Sequence, residues 1–76
     1  MKTKMKTESE LVNSVAAELR EEWGIGISSI PTDRLVEEIR RCEREHDDWV
    51  TVKIPSRSEF GMSLAAARAV RNVFVR

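Results

Sequence analysis

The sequence predicts a helix-dominated α+β fold with three helices and one or two short strands, in the order α-(β)-α-β-α. Three stretches carry apolar residues at helical spacing behind a helix start signal, and a stretch rich in β-branched residues separates two of them. The length of 76 residues suits one small domain. We place that domain at residues 8–76, behind a flexible basic tail at residues 1–7.

The first helix is predicted over residues 8–23. Thr7 and Glu10 have the spacing of a capping box, in which each side chain bonds the backbone amide of the other residue. One face then carries the apolar residues Leu11, Val12, Val15, Ala16, Leu19 and Trp23. Gly24 ends the helix, because glycine adopts the left-handed conformation at little cost.

The second helix follows a glycine-containing break, in which Ile25–Ser28 can form a short strand because isoleucines alternate with small residues. Pro31 suits the first helical turn and Thr32 suits the cap. The apolar stripe of this helix has the spacing of a heptad seam and consists of Leu35, Ile39, Cys42, His46 and Trp49. Asp47 and Asp48 end the helix, since negative charge at a C-terminus opposes the helix dipole.

The clearest strand signal is residues 49–54, which combine aromatic and β-branched side chains between acidic residues and a proline. A second capping box, from Ser56 to Glu59, predicts that the third helix begins there and ends near residue 71. An alanine-rich face on this helix lets another element approach closely. Residues 72–76 fit either a final strand or a last helical turn.

A candidate anion site follows if both predicted strands form. A right-handed crossover through the second helix would make the strands parallel and bring the N-termini of the second and third helices to one sheet edge. That edge carries small, hydroxyl-bearing and basic residues, namely Gly24, Gly26, Ser28, Ser29, Lys53, Ser56, Arg57 and Ser58. Free amides and positive charge at helix N-termini favour anions. Arg68 and Arg71 lie within about 60° of each other on the third helix and extend this edge as a basic stripe.

The charge distribution supports two hypotheses about function. Residues 1–7 carry three lysines, residues 8–48 carry twelve acids against five arginines, and residues 49–76 carry five basic residues against one acid. The basic regions favour a small nucleic-acid-associated or regulatory protein that binds DNA or RNA. Its candidate binding residues are Lys53, Ser56, Arg57, Ser58, Arg68 and Arg71. The alternative is a protein–protein module, such as an inhibitor, antitoxin or adaptor, whose acidic middle binds a basic partner. Independently of these two hypotheses, a purely structural interpretation of the basic edge is that its serines cap helices and its arginines pair with the acidic middle.

We expect neither an enzyme nor a metal or cofactor site. Cys42 and His46 are the only cysteine and histidine, and a zinc site needs four ligands. We interpret them as a small apolar residue and a half-buried ring in the seam. Catalytic motifs such as a nucleophile elbow are absent from the sequence. We interpret Trp23 and Trp49 as core residues rather than as platforms for base stacking.

Cellular setting and assembly follow from two further features. No apolar run approaches the roughly 18 residues that span a membrane, so we expect no membrane partner. A single cysteine excludes an internal disulfide, and we expect a reducing, cytoplasmic setting. The seam of the second helix and the alanine-rich third helix offer self-complementary apolar surfaces. We therefore expect a homodimer.

Overall fold

The computed structural model describes residues 7–54 and 59–74, and three helices dominate it. Their bounds are Glu8–Glu18 for α1, Thr32–Glu45 for α2 and Leu64–Phe74 for α3. Within this described part of the chain, none of the helices is both long and apolar enough to cross a bilayer. The prediction of a helix-dominated α+β fold with three helices is confirmed.

Two short strands form an antiparallel hairpin between α2 and α3. Strand β1 spans Trp49–Val52 and strand β2 spans Phe60–Ser63. In their register, Val50 lies opposite Met62 and Val52 lies opposite Phe60, and all four side chains are buried. Successive side chains of a strand point to opposite faces. The opposite, outer face therefore carries Trp49, Thr51, Gly61 and Ser63.

The core lies between the inner face of this hairpin and the three helices. The predicted stripe of α2 faces inward through Leu35, Ile39 and Cys42. Helix α3 contributes small buried residues, which allow it to pack closely against both α1 and α2. The buried cluster comprises Val15, Leu19, Ile30, Leu35, Ile39, Cys42, Val50, Val52, Ile54, Phe60, Met62, Ala66, Ala67 and Val70.

The first helix begins and ends as its sequence predicts. The Thr7 hydroxyl accepts a hydrogen bond from the Glu10 amide at 3.2 Å, and the Thr7 amide donates to the Glu10 carboxylate at 2.9 Å. Beyond α1 the helix continues as a π-helical turn over Leu19–Trp23, and Gly24 ends it with a φ of 68°. Trp23 is half-buried, as predicted for a core residue. Its ring lies edge-on to the Phe60 ring, with 6.2 Å between the two ring centroids.

The predicted strand at Ile25–Ser28 is wrong, because a 3₁₀ turn occupies Ile27–Ser29. This segment satisfies its backbone locally, with the Ser29 amide donating to Gly26 and the Ile30 amide donating to Ile27. Strand β1 instead pairs with β2, which follows it directly in the chain. The parallel crossover and its shared edge of helix N-termini are therefore also wrong.

The third helix begins at Leu64 rather than at the predicted capping box. Glu59 is not helical, and the Ser56–Ser58 part of that box lies outside the described residues. Phe60–Ser63 forms β2 because a strand buries the alternating Phe60 and Met62 together on one face. The Ser63 hydroxyl accepts a hydrogen bond from the Ala66 amide at 3.2 Å, so Ser63 supplies the cap. Val73 and Phe74 form the last helical turn rather than a strand.

A tight turn joins α2 to β1. His46 adopts the left-handed conformation with a φ of 56°, which ends the helix. Its side chain is exposed, so the predicted half-buried position in the seam is wrong. Pro31, not Thr32, occupies the cap position at the other end of α2. The buried Cys42 thiol donates to the Trp49 carbonyl at 2.7 Å, which connects the helix to the start of the strand.

We predict that Cys42→Ala lowers the free energy of unfolding by about 1–3 kcal/mol, because the core loses a buried sulfur and the Trp49 carbonyl loses its donor. Urea unfolding followed by circular dichroism measures the change. Asn13→Ala on the exposed side of α1 is the control and should change stability by less than about 0.5 kcal/mol. A Cys42→Ala protein as stable as the parent would contradict the structural role of Cys42.

Candidate binding surface

Two members of the predicted basic stripe, Arg68 and Arg71, lie on α3 among the described residues. Arg68 on α3 binds Glu43 on α2, with its Nε and Nη2 at 2.9 and 2.6 Å from the same carboxylate oxygen. Arg71 is partly buried, and its Nη2 contacts the Asn72 side chain at 3.4 Å. Arg68 therefore pairs with an acid of the chain, whereas Arg71 contacts an amide side chain. Ser56, Arg57 and Ser58 lie outside the described residues.

Lys53 lies in a different place, next to the N-terminal half of α2. It lines a charged groove of about 220 Å³ together with Arg34, Glu38, Thr51 and Glu59. Two basic and two acidic side chains therefore share this groove, so its described walls carry no net charge. Balanced walls of this kind do not form a cationic track for a phosphate backbone.

Trp49 is the most exposed large apolar residue among those described, with 55% of its surface accessible. The prediction that it belongs to the core is wrong. Its neighbour Val50 faces the core, so alternation places Trp49 on the outer face of the hairpin. The indole lies over Gly61, where a Cβ would fall 2.8 and 2.9 Å from its Cε2 and Cζ2 atoms. Glycine at this position therefore makes room for the ring.

A groove of about 260 Å³ separates this indole from α1. Its helical wall includes Leu11 and Val15, and its hairpin wall includes Trp49 and Met62. The complete lining among the described residues is Leu11, Ser14, Val15, Glu18, Trp49, Gly61, Met62, Ser63 and Ala66. Glu18 is the single charged residue in that set. The groove thus combines apolar walls with one carboxylate.

Acidic groups near Trp49 differ in whether they are paired. Within the described ranges, the side chains of Glu18 and Asp48 form no ion pair. Acids on α2 are engaged instead, since Arg41 binds Glu38 at 3.0 Å and Glu45 at 2.9 Å. Among the described residues, the carboxylate of Glu18 in this groove therefore has no cationic partner.

The backbone of Trp49 is fixed by the turn before it. Its amide donates to the Asp47 carboxylate at 3.2 Å, and its carbonyl accepts from the Cys42 thiol. Burial raises the pKa of Cys42, against a smaller opposing effect of the Arg41 charge. The thiol is therefore held in the protonated form that donates this bond. Trp49 is thus an exposed side chain on an immobilised backbone.

No group of three or more His, Cys, Asp or Glu side chains that could hold a metal occurs in the described ranges. Comparison of the chain with protein-family models, curated proteins and solved structures finds no match.

Sequence reasoning missed Trp49 as a surface residue because its spacing extends the apolar stripe of α2. The signal that could have identified it is the alternation of residues 49–52 read with that of Phe60, Gly61 and Met62. Two short alternating segments that pair place a tryptophan and a glycine on one face. An aromatic side chain commonly covers a glycine on a neighbouring strand in this way.

We predict that Gly61→Ala displaces the Trp49 indole, because the new methyl group would occupy the space of the ring. In a Trp23→Phe background, which leaves Trp49 as the only tryptophan, its fluorescence emission should shift. Gly26→Ala is the control, since its Cβ would meet only the Ser28 hydroxyl at 3.8 Å. Unchanged emission in the Gly61→Ala protein would contradict the described packing.

Proposed function

We propose that this protein is a non-enzymatic binding module whose partner is another protein, and that the partner docks on the outer face of the hairpin around Trp49. The observation that carries the proposal is a tryptophan with 55% of its surface exposed on a backbone fixed at both its amide and its carbonyl. Tryptophan is enriched among the residues that dominate protein interfaces. An immobilised anchor also loses little conformational entropy on binding.

Charge favours a protein over a nucleic acid as the partner of this surface. Bases also stack on exposed tryptophans, but such sites combine stacking with a positively charged groove. The groove beside Trp49 carries Glu18, and Asp48 precedes Trp49 in the chain. The hypothesis of DNA or RNA binding through the basic C-terminal region stays a prediction.

Two further expectations concern the oligomeric state and the cellular compartment of the protein. The homodimer was expected from the α2 seam and the alanine face of α3, and both surfaces contribute buried residues to the core of a single chain. The homodimer stays a prediction. We retain the cytoplasmic setting in the proposal, because the single cysteine is a free thiol in the core.

A site-specific crosslink tests the proposal. Benzoylphenylalanine at position 49 should crosslink to a protein in an extract of the source cells, with or without nuclease. The same group at position 73, exposed at the end of α3, is the control and should not capture that protein. The captured protein, once purified, should bind the Trp49→Ala variant about 30-fold more weakly than the parent, as for an interface anchor.

Two results would contradict this proposal. In the first, position 49 crosslinks only to nucleic acid, and a single-stranded RNA or DNA 20-mer binds at low salt through the basic residues. In the second, the purified partner binds the Trp49→Ala and Val73→Ala variants equally well. Circular dichroism of each variant shows whether the fold is retained.

A further inference from the structure

We infer that the groove between α1 and the hairpin binds a lysine or arginine side chain from the partner protein, with the cation placed against the Trp49 indole and paired with Glu18. This inference rests on the proposed function and specifies the chemistry of the partner. It follows from three features of the groove, which are its apolar walls, its unpaired carboxylate and its aromatic wall.

The walls suit the hydrocarbon stem of a long basic side chain. Leu11 and Val15 form one side of the groove, and Met62 and Ala66 contribute to the other. Lysine and arginine place their methylene groups along apolar surface and keep the charged head group in a polar environment. A groove of about 260 Å³ that ends at a carboxylate provides both environments.

Glu18 supplies the charge that selects a cation. Unlike Glu43, which already binds Arg68, Glu18 has no ion pair among the described residues. A cationic group entering the groove therefore gains a partner without breaking an existing pair. An acidic segment would be repelled by Glu18 and by the nearby Asp48.

Trp49 supplies a second, independent interaction with the same cation. Ammonium and guanidinium groups bind the face of an indole within about 6 Å, and arginine also stacks on it. Gly61 lets the ring lie close to the sheet, and 55% of the surface of Trp49 is exposed. The amide and carbonyl of Trp49 are both occupied within the chain, so recognition at this residue uses side chains rather than an added strand.

Peptide selection provides the test. A random peptide library is selected on the full chain, and peptides that no longer bind the Trp49→Ala variant are kept. We expect lysine or arginine to be enriched in these peptides relative to the unselected library. The tightest peptide is then made in two forms, one with its basic residue and one with neutral citrulline or norleucine in that place.

The neutral form should bind the parent protein about tenfold more weakly. Glu18→Gln should weaken binding of the basic peptide and have little effect on the neutral one, which is the coupling expected of a direct pair. Glu37→Gln is the control, because it removes the same charge from an exposed position on α2 outside the groove.

The outcomes separate this inference from the proposed function. Equal affinity of the two peptide forms, or equal effects of Glu18→Gln and Glu37→Gln, would overturn the cation site and leave protein docking at Trp49 intact. Failure to obtain any Trp49-dependent peptide would contradict both the cation site and protein docking at Trp49. Binding of a single-stranded RNA 20-mer that requires Trp49 would contradict both most clearly. A soluble second copy of the chain that competes with the peptide would identify a dimer interface and overturn the inference.

Discussion

The register of the β1–β2 pair decides which side chains build the core and which are presented to solvent. With Val50 opposite Met62, the inner face gathers the apolar residues of both strands, and the outer face receives Trp49 beside Gly61. A shift of one residue would reverse both faces, burying the indole and exposing the valines. Because this register buries Val50 and Val52, it also keeps the Trp49 side chain exposed to solvent.

Hydrogen bonds from the C-terminal end of α2 and the turn after it fix the position of strand β1 relative to the helices. Cys42 is buried among core residues and also donates to the Trp49 carbonyl, while Asp47 accepts from the Trp49 amide. Where β2 passes into α3, the Leu64 amide donates a hydrogen bond to the Asp48 carbonyl at 2.9 Å. The same few contacts therefore join two helices and fix the backbone beneath the exposed indole. The exposed ion pair between Arg41 and Glu45 adds little to this, since solvent screens it.

Local signals made the helical part of the fold predictable. The capping box at Thr7, the glycine that ends the first helix and the stripe of α2 each depend on residues a few positions apart. Strand β2 was missed because its four residues offer only one alternation, and a neighbouring helix start signal competed with it. The pairing of Arg68 with Glu43 spans 25 positions, which no local pattern encodes. The candidate site depends on strand pairing between segments that are apart in the chain, so the sequence predicted neither its location nor its residues, and it placed Trp49 in the core.

Trp49 is an exposed indole, and we propose that its surroundings are negatively charged and attract a cationic partner. Collisional quenching of its fluorescence tests this directly, in a Trp23→Phe protein at low ionic strength, with caesium, iodide and neutral acrylamide as quenchers. Local potential attracts ions of opposite charge, so caesium should quench more strongly than iodide when each is scaled to a free indole. Efficient quenching by acrylamide confirms exposure. Stronger quenching by iodide, or protection from acrylamide, would contradict the account.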